Sequence, residues 1–100
     1  FRRVELKAQL SGAADYQAAI ALLKQRVAAI PNVLGEPPVD VEILEFNLVG
    51  PVLAVRPYCH NDHYWQVYFD TNKVIKDALG ADFPAPMPAQ TVIVQQSAGA

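Results

Sequence analysis

The sequence predicts one small α+β domain followed by a tethered strand. Three observations lead there. Apolar and polar residues alternate in three short runs. Two longer stretches repeat apolar residues at helical spacing. An alternating-proline segment then separates the second helix from a final apolar run. The resulting order is β-α-β-β-α, with one more strand carried on an arm.

The first run is Arg3-Val4-Glu5-Leu6-Lys7-Ala8-Gln9-Leu10. Val4, Leu6, Ala8 and Leu10 share one face, which reads as a half-buried strand ended by Ser11-Gly12. Tyr16, Ile20, Leu23, Val27 and Ile30 follow at steps of four and three, one face of a helix. Asp15 is its expected N-cap and Pro31 its stop. The turn formers between Asn32 and Pro38 predict a loop. Val39 to Ile43 alternates again as a second strand. Phe46 to Gly50 reads as a hairpin connection and Pro51 to Tyr58 as a third strand. Val52, Ala54 and Arg56 fall on one face of it and Leu53 and Val55 on the other. Pro57 has no N–H to donate, so pairing is expected to fail near it.

The second helix is expected over Tyr64 to Leu79, capped by Asn61 or Asp62 and stopped by Gly80 as the C′ residue. Tyr64, Val67, Tyr68, Thr71, Val74, Ile75, Ala78 and Leu79 form its buried face. Gln66, Asp70, Lys73 and Asp77 form its wet face. Phe69 falls on the wet side and Trp65 on the flank. Tyr64, Trp65 and Tyr68 read as packing aromatics, and Phe69 as a contact between subunits. A right-handed first crossover places the third strand between the first two, antiparallel to both. Both helices then cover one face of the sheet, the ferredoxin-like split βαβ arrangement.

Phe83-Pro84-Ala85-Pro86-Met87-Pro88 cannot continue a helix or enter a central strand. At ~3.1 Å per residue, its six residues hold the last strand roughly 19 Å away. The expected division is a ferredoxin-like domain over residues 1–83, a proline-rich arm over 84–89, an oligomerisation strand over 90–95 and a flexible tail over 96–100. Phe83, Pro84, Pro86 and Pro88 set the reach of the arm. Thr91, Val92, Ile93, Val94 and Gln95 are the segment it offers to a partner, another copy of the chain.

Composition narrows the function. The chain has 100 residues and a formal charge of −2, with the two signs interspersed. No basic stripe argues for nucleic acid or an anionic membrane. Strand three lacks the Gly and aromatic pattern of RNA-binding sheets, and no Gly-rich phosphate loop occurs. Cys59 is the only cysteine, so no internal disulfide is possible. No apolar run approaches the ~20 residues of a membrane span. The chain begins at Phe1, which suggests a piece of a longer protein.

Cys59-His60-Asn61-Asp62-His63 is the one cluster with metal-ligand chemistry. His60 and His63 can share a helix face. A closed zinc site takes four ligands, usually from two separated pairs, and no second pair exists. Cys59, His60 and His63 therefore remain weak metal candidates, against a plain polar helix start. Cys59 beside His60 does not make a nucleophile pair, since adjacent side chains seldom point at each other. It reads as a small, half-buried residue. Asp40, Glu42 and Glu45 read as a solvated strand face. No catalytic constellation, cofactor or enzyme activity is expected.

Four pieces recur in one known order: Arg2-Arg3-Val4-Glu5-Leu6; Val52-Leu53-Ala54-Val55-Arg56 followed by an aromatic; Val67-Tyr68-Phe69-Asp70 through Val74-Ile75-Lys76 to Leu79; and the arm from Phe83-Pro84 to the terminal strand. Over about residues 2 to 95 the chain resembles the C-terminal cytoplasmic α/β domain of the small-conductance mechanosensitive channels. The loop from Leu79 to Phe83 is shorter than the family's, and Cys59 to His63 is not part of its pattern. The resemblance implies a seven-fold ring forming a hollow cage on the cytoplasmic side of a bacterial inner membrane. Its terminal strands meet in an axial barrel, and pore helices and a middle β domain lie upstream. The fragment itself then contacts neither membrane nor nucleic acid. Its expected role is assembly and solute filtering during osmotic-stress release, with Asp40, Glu42 or Glu45 able to line a portal. The alternative from another class is a regulatory metal-binding cytoplasmic domain of a cation transporter, using Cys59, His60 and His63.

Overall fold

A computed structural model describes residues 1–82 of the chain. The elements are β1 (Arg2–Arg3), β2 (Leu6–Gln9), α1 (Tyr16–Ala28), β3 (Asp40–Phe46), β4 (Pro51–Arg56), β5 (Tyr58–Cys59) and α2 (Tyr64–Asp82), the last entered through a 3-10 turn at Asn61–His63. Strands β2, β4 and β3 form an antiparallel sheet in that order, and β1 pairs with β5 in a separate two-residue ladder. The domain is thus a small α+β fold with the third long strand in the centre.

The expected single strand from Arg3 to Leu10 is two strands, and Pro57 is the reason. Opposite the break, Pro57 has no donor, but its carbonyl accepts from the Val4 N–H at 2.8 Å. Pairing resumes beyond it as Arg2 with Cys59 and Arg3 with Tyr58. The alternation survives this interruption, because Val4, Leu6, Ala8 and Leu10 are all buried.

Strand β3 runs on to Phe46, which pairs with Pro51, after a register shift between Ile43 and Glu45 that leaves Leu44 as the extra residue. The connection from Asn47 to Gly50 is held by the Asn47 side chain. Its Oδ1 accepts from the N–H groups of Val49 at 2.9 Å and Gly50 at 3.1 Å. Its Nδ2 donates to Gln9 Oε1 at 2.6 Å, tying the turn to β2. At Gly50 (φ 155°) two backbones converge. A Cβ there would stand 2.5 Å from Gly12 N and 2.6 Å from Leu10 O.

Asp15 caps α1, its Oδ1 accepting from Ala18 N–H at 3.1 Å. Ala19, Leu23 and Val27 are the buried residues of that helix, with Tyr16 and Ile20 half-buried at its margin. The last turn closes at Ala29, two residues before Pro31. Helix α2 departs from expectation at both ends. Its entry is capped by His60, whose Nδ1 accepts from Asp62 N–H at 3.1 Å. Its far end passes through Gly80 to Asp82. Glycine permits a left-handed stop but does not force one, and its cost of about 1 kcal/mol within a helix is easily outweighed by packing. Ala78 and Leu79, just before it, are both buried.

Both helices lie on one face of the sheet, α1 beside β3 and α2 beside β2. Their apolar residues join Leu6, Ala8, Val41, Leu53 and Val55 in a single core. Val52 and Ala54 point to the other face, yet are buried too. In their rows stand Gln9 and Glu45 beside Val52, and Lys7 and Glu42 beside Ala54. The stems of such long side chains cover apolar surface while their heads stay in water.

Gly50→Ala should destabilise the domain by about 1–3 kcal/mol, the range for backbone strain that its surroundings cannot relieve. A lower urea midpoint at unchanged slope would show it, and an unchanged midpoint would contradict the close approach.

Candidate functional site

The segment from Cys59 to His63 does not assemble a metal centre. Cys59 ends β5 with no exposed surface, more deeply placed than its expected half-buried position. Burial pushes its thiol pKa up, against a smaller opposing pull from Arg2. A raised pKa leaves the sulfur as a thiol, neither a ready nucleophile nor a ready ligand. His60 is exposed, and its Nδ1 is occupied in capping the turn. The His60 and His63 rings lie 6.3 Å apart, centre to centre. Among the described residues, no group of three or more His, Cys, Asp or Glu side chains gathers to hold a metal.

Arg56 organises the charges on the far face of the sheet. Its Nη1 lies 3.4 Å from Asp40 Oδ2 and its Nε 3.6 Å from Glu5 Oε1. Glu5 also pairs with Arg3 at 3.2 Å. Asp40 is therefore engaged within the sheet. Glu42 and Glu45 are exposed and, among the described residues, form no ion pair.

Helix α2 carries the most distinctive surface. Asp70, Lys73 and Val74 line a groove of about 320 Å³ against Arg26, Ala29, Ile30 and Pro31 at the end of α1. Gln66, expected on the wet face, is half-buried at that contact. It donates to Pro31 O at 3.0 Å and Asp70 Oδ2 at 2.9 Å, and accepts from Asn32 Nδ2 at 2.9 Å. A glutamine read by periodicity alone is only a polar residue, and its partner loop is 35 positions away in sequence.

At 100° per residue, Tyr68 and Trp65 lie on the flank turned away from α1, and Phe69 lies between that flank and the outer face of the helix. Trp65 is 63% exposed and Phe69 56%. Their rings stack at 5.8 Å, and Tyr68 meets both edge-on at 5.5 and 5.6 Å. Tyr64 and Tyr68 reach the core as expected. Trp65 does not, and its reading as a packing aromatic is corrected. Arg2 lies over the Tyr64 ring at 4.1 Å and donates to Asn61 Oδ1 at 3.2 Å, joining the N-terminal strand to the helix entrance.

A second apolar surface borders β3, where Ile43, Leu44, Phe46 and Leu48 are all exposed. Ile43 and Phe46 line an apolar groove of about 430 Å³ with Gly12, Ala14, Tyr16, Gly50 and Pro51. Alternation suggested the strand but not this surface, because Leu44 occupies a bulge that breaks the period. Phe83, Pro84, Pro86 and Thr91 to Gln95, the other expected interface residues, lie outside the described residues. Among the described residues no helix is long and apolar enough to cross a membrane.

Compared with models of known protein families and with curated proteins, the chain matches none.

Zinc at a few molar equivalents should leave the melting temperature of the domain unchanged, and His60→Ala and His63→Ala should not alter that result. A zinc-dependent rise lost in either variant would overturn the reading of this segment as a helix cap. Native Cys59 should react with a thiol reagent far more slowly than in urea.

Proposed function

We propose that this domain is a non-catalytic assembly module, the cytoplasmic cage wall of a tension-gated channel. The single observation that carries the reading is the stacked, exposed pair Trp65 and Phe69 on a helix whose opposite face is fully packed. Large aromatics are costly to leave in water and are enriched where protein surfaces meet. The strand order β2-β4-β3 with both helices on one face supports the ferredoxin-like arrangement, and the sequence resemblance supplies the channel family.

In this reading the domain acts mechanically and electrostatically. It joins other copies of itself, in a seven-fold ring in the whole protein, on the cytoplasmic side of the inner membrane. Its acidic strand face, at Glu45, biases the ions that pass between subunits through its field. The proline arm delivers Thr91 to Gln95 to the symmetry axis, where a closed barrel removes the exposed edges of those strands.

Patch-clamp of membranes holding the full-length parent should record current that switches on with suction. Silence up to membrane rupture, with the protein present, would sink the channel reading. Val92→Asp with Val94→Asp should weaken assembly of the parent by placing charge in a packed strand bundle. Unchanged assembly in that variant would remove the axial barrel.

A further inference from the structure

The two edges of the main sheet carry opposite charge. Along the first edge stand Arg2, Arg3 and Lys7, and the one carboxylate among them, Glu5, is engaged by Arg3 and Arg56. Along the other edge, β3 carries Asp40, Glu42 and Glu45 and no cation. Among the described residues nothing pairs with the outer side of either β2 or β3. The carboxylates of β3 and its bulge at Leu44 guard this edge against indiscriminate pairing, so a strand that joins it must bring positive charge.

We propose that β3 of one copy pairs with β2 of the next, so that the sheet continues from subunit to subunit. Both strands are antiparallel to β4 and hence parallel to each other, so the junction is a parallel pair. The register places Lys7, Ala54 and Glu42 in one row. A copy displaced sideways by three strand spacings, roughly 14 Å, therefore brings its Lys7 beside Glu42 of its neighbour. Opposite charges directly across a strand pair stabilise it, and like charges oppose it. Two copies meeting through the same edge would place Asp40, Glu42 and Glu45 against their own kind. The contact is thus head-to-tail, the type that closes into rings.

The helices fit this direction. Helix α2 lies beside β2, so its flank turned away from α1 overhangs the same edge. Trp65, on that flank and stacked on Phe69, would be covered by the incoming subunit.

The inference rests on the assembly reading above, and charge reversal in the whole chain tests it. Sedimentation at low salt should show self-association that weakens at least about tenfold in Lys7→Glu and in Glu42→Lys alone, since rim charges set such contacts. The double variant Lys7→Glu with Glu42→Lys should restore it, because every copy then again carries opposite charges on its two edges. Restoration also shows that the two substitutions leave the domain folded. A wild-type chain that stays monomeric at high concentration, association indifferent to both single reversals, or a double variant that does not recover would each overturn the contact. Loss in Val92→Asp with Val94→Asp alone, with the reversals silent, would remove this edge contact and leave the channel reading standing.

Discussion

Strand β4 is hydrogen-bonded along both edges and buried on both faces, and the other elements take their positions from it. Its five residues from Pro51 to Val55 hold no polar side chain, so it can sit nowhere but the centre. Leu53 and Val55 receive the two helices, while Val52 and Ala54 stand on the other face between the polar residues Gln9, Glu45, Lys7 and Glu42. Arg56, the first polar residue, closes the strand by gathering Asp40 and Glu5 from either side. Pro57 then ends the ladder by lacking a donor, and the chain turns toward α2. A central strand ended by its own sequence in this way fixes the length of both partners.

The surface follows a different logic from the core. Among the described residues, large apolar side chains other than Phe1 are exposed on the α2 flank and along the border of β3. The rings on α2 partly shield one another, with Trp65 stacked on Phe69 and Tyr68 between them. Such stacking limits the wetted area without removing it. Inside, Thr71 Oγ1 is buried and, among the described residues, has no hydrogen-bond partner, an uncommon state for a hydroxyl. Its buried neighbours on α2, Val67, Ile75 and Ala78, are apolar.

Much of the fold was legible because period-2 and period-3.6 patterns report burial directly. Val4, Leu6, Ala8 and Leu10 on the first strand, and Val67, Thr71, Ile75 and Ala78 on the last helix, were visible for that reason. What escaped were features decided by a distant partner. Gly80 could not reveal that packing would carry the helix through it. The break in the first strand depends on Pro57, more than 50 residues away. Gln66 became half-buried because the loop after α1 offered it a carbonyl. Trp65 lay on the margin of the apolar stripe, where a small rotation decides between core and solvent. Cys59 and the two histidines are close in sequence, but a buried strand end and an exposed cap point them to different surroundings. Adjacency in the chain was a poor guide to chemistry there.

The short β1–β5 ladder places the incoming chain in an unusual mechanical position. Among the described residues, Arg2 and Arg3 are joined to the body by two residue pairs beyond the Pro57 gap, by Arg2's contacts with Tyr64 and Asn61 and by Arg3's ion pair with Glu5. A pull on residue 1 would therefore load this clip first, ahead of the four-pair β2–β4 ladder and the core behind it. The load would arrive at the first turn of α2, the end of the helix that bears the exposed aromatics. Strain entering by the backbone would thus be felt at the outer surface of the domain before the sheet itself began to yield.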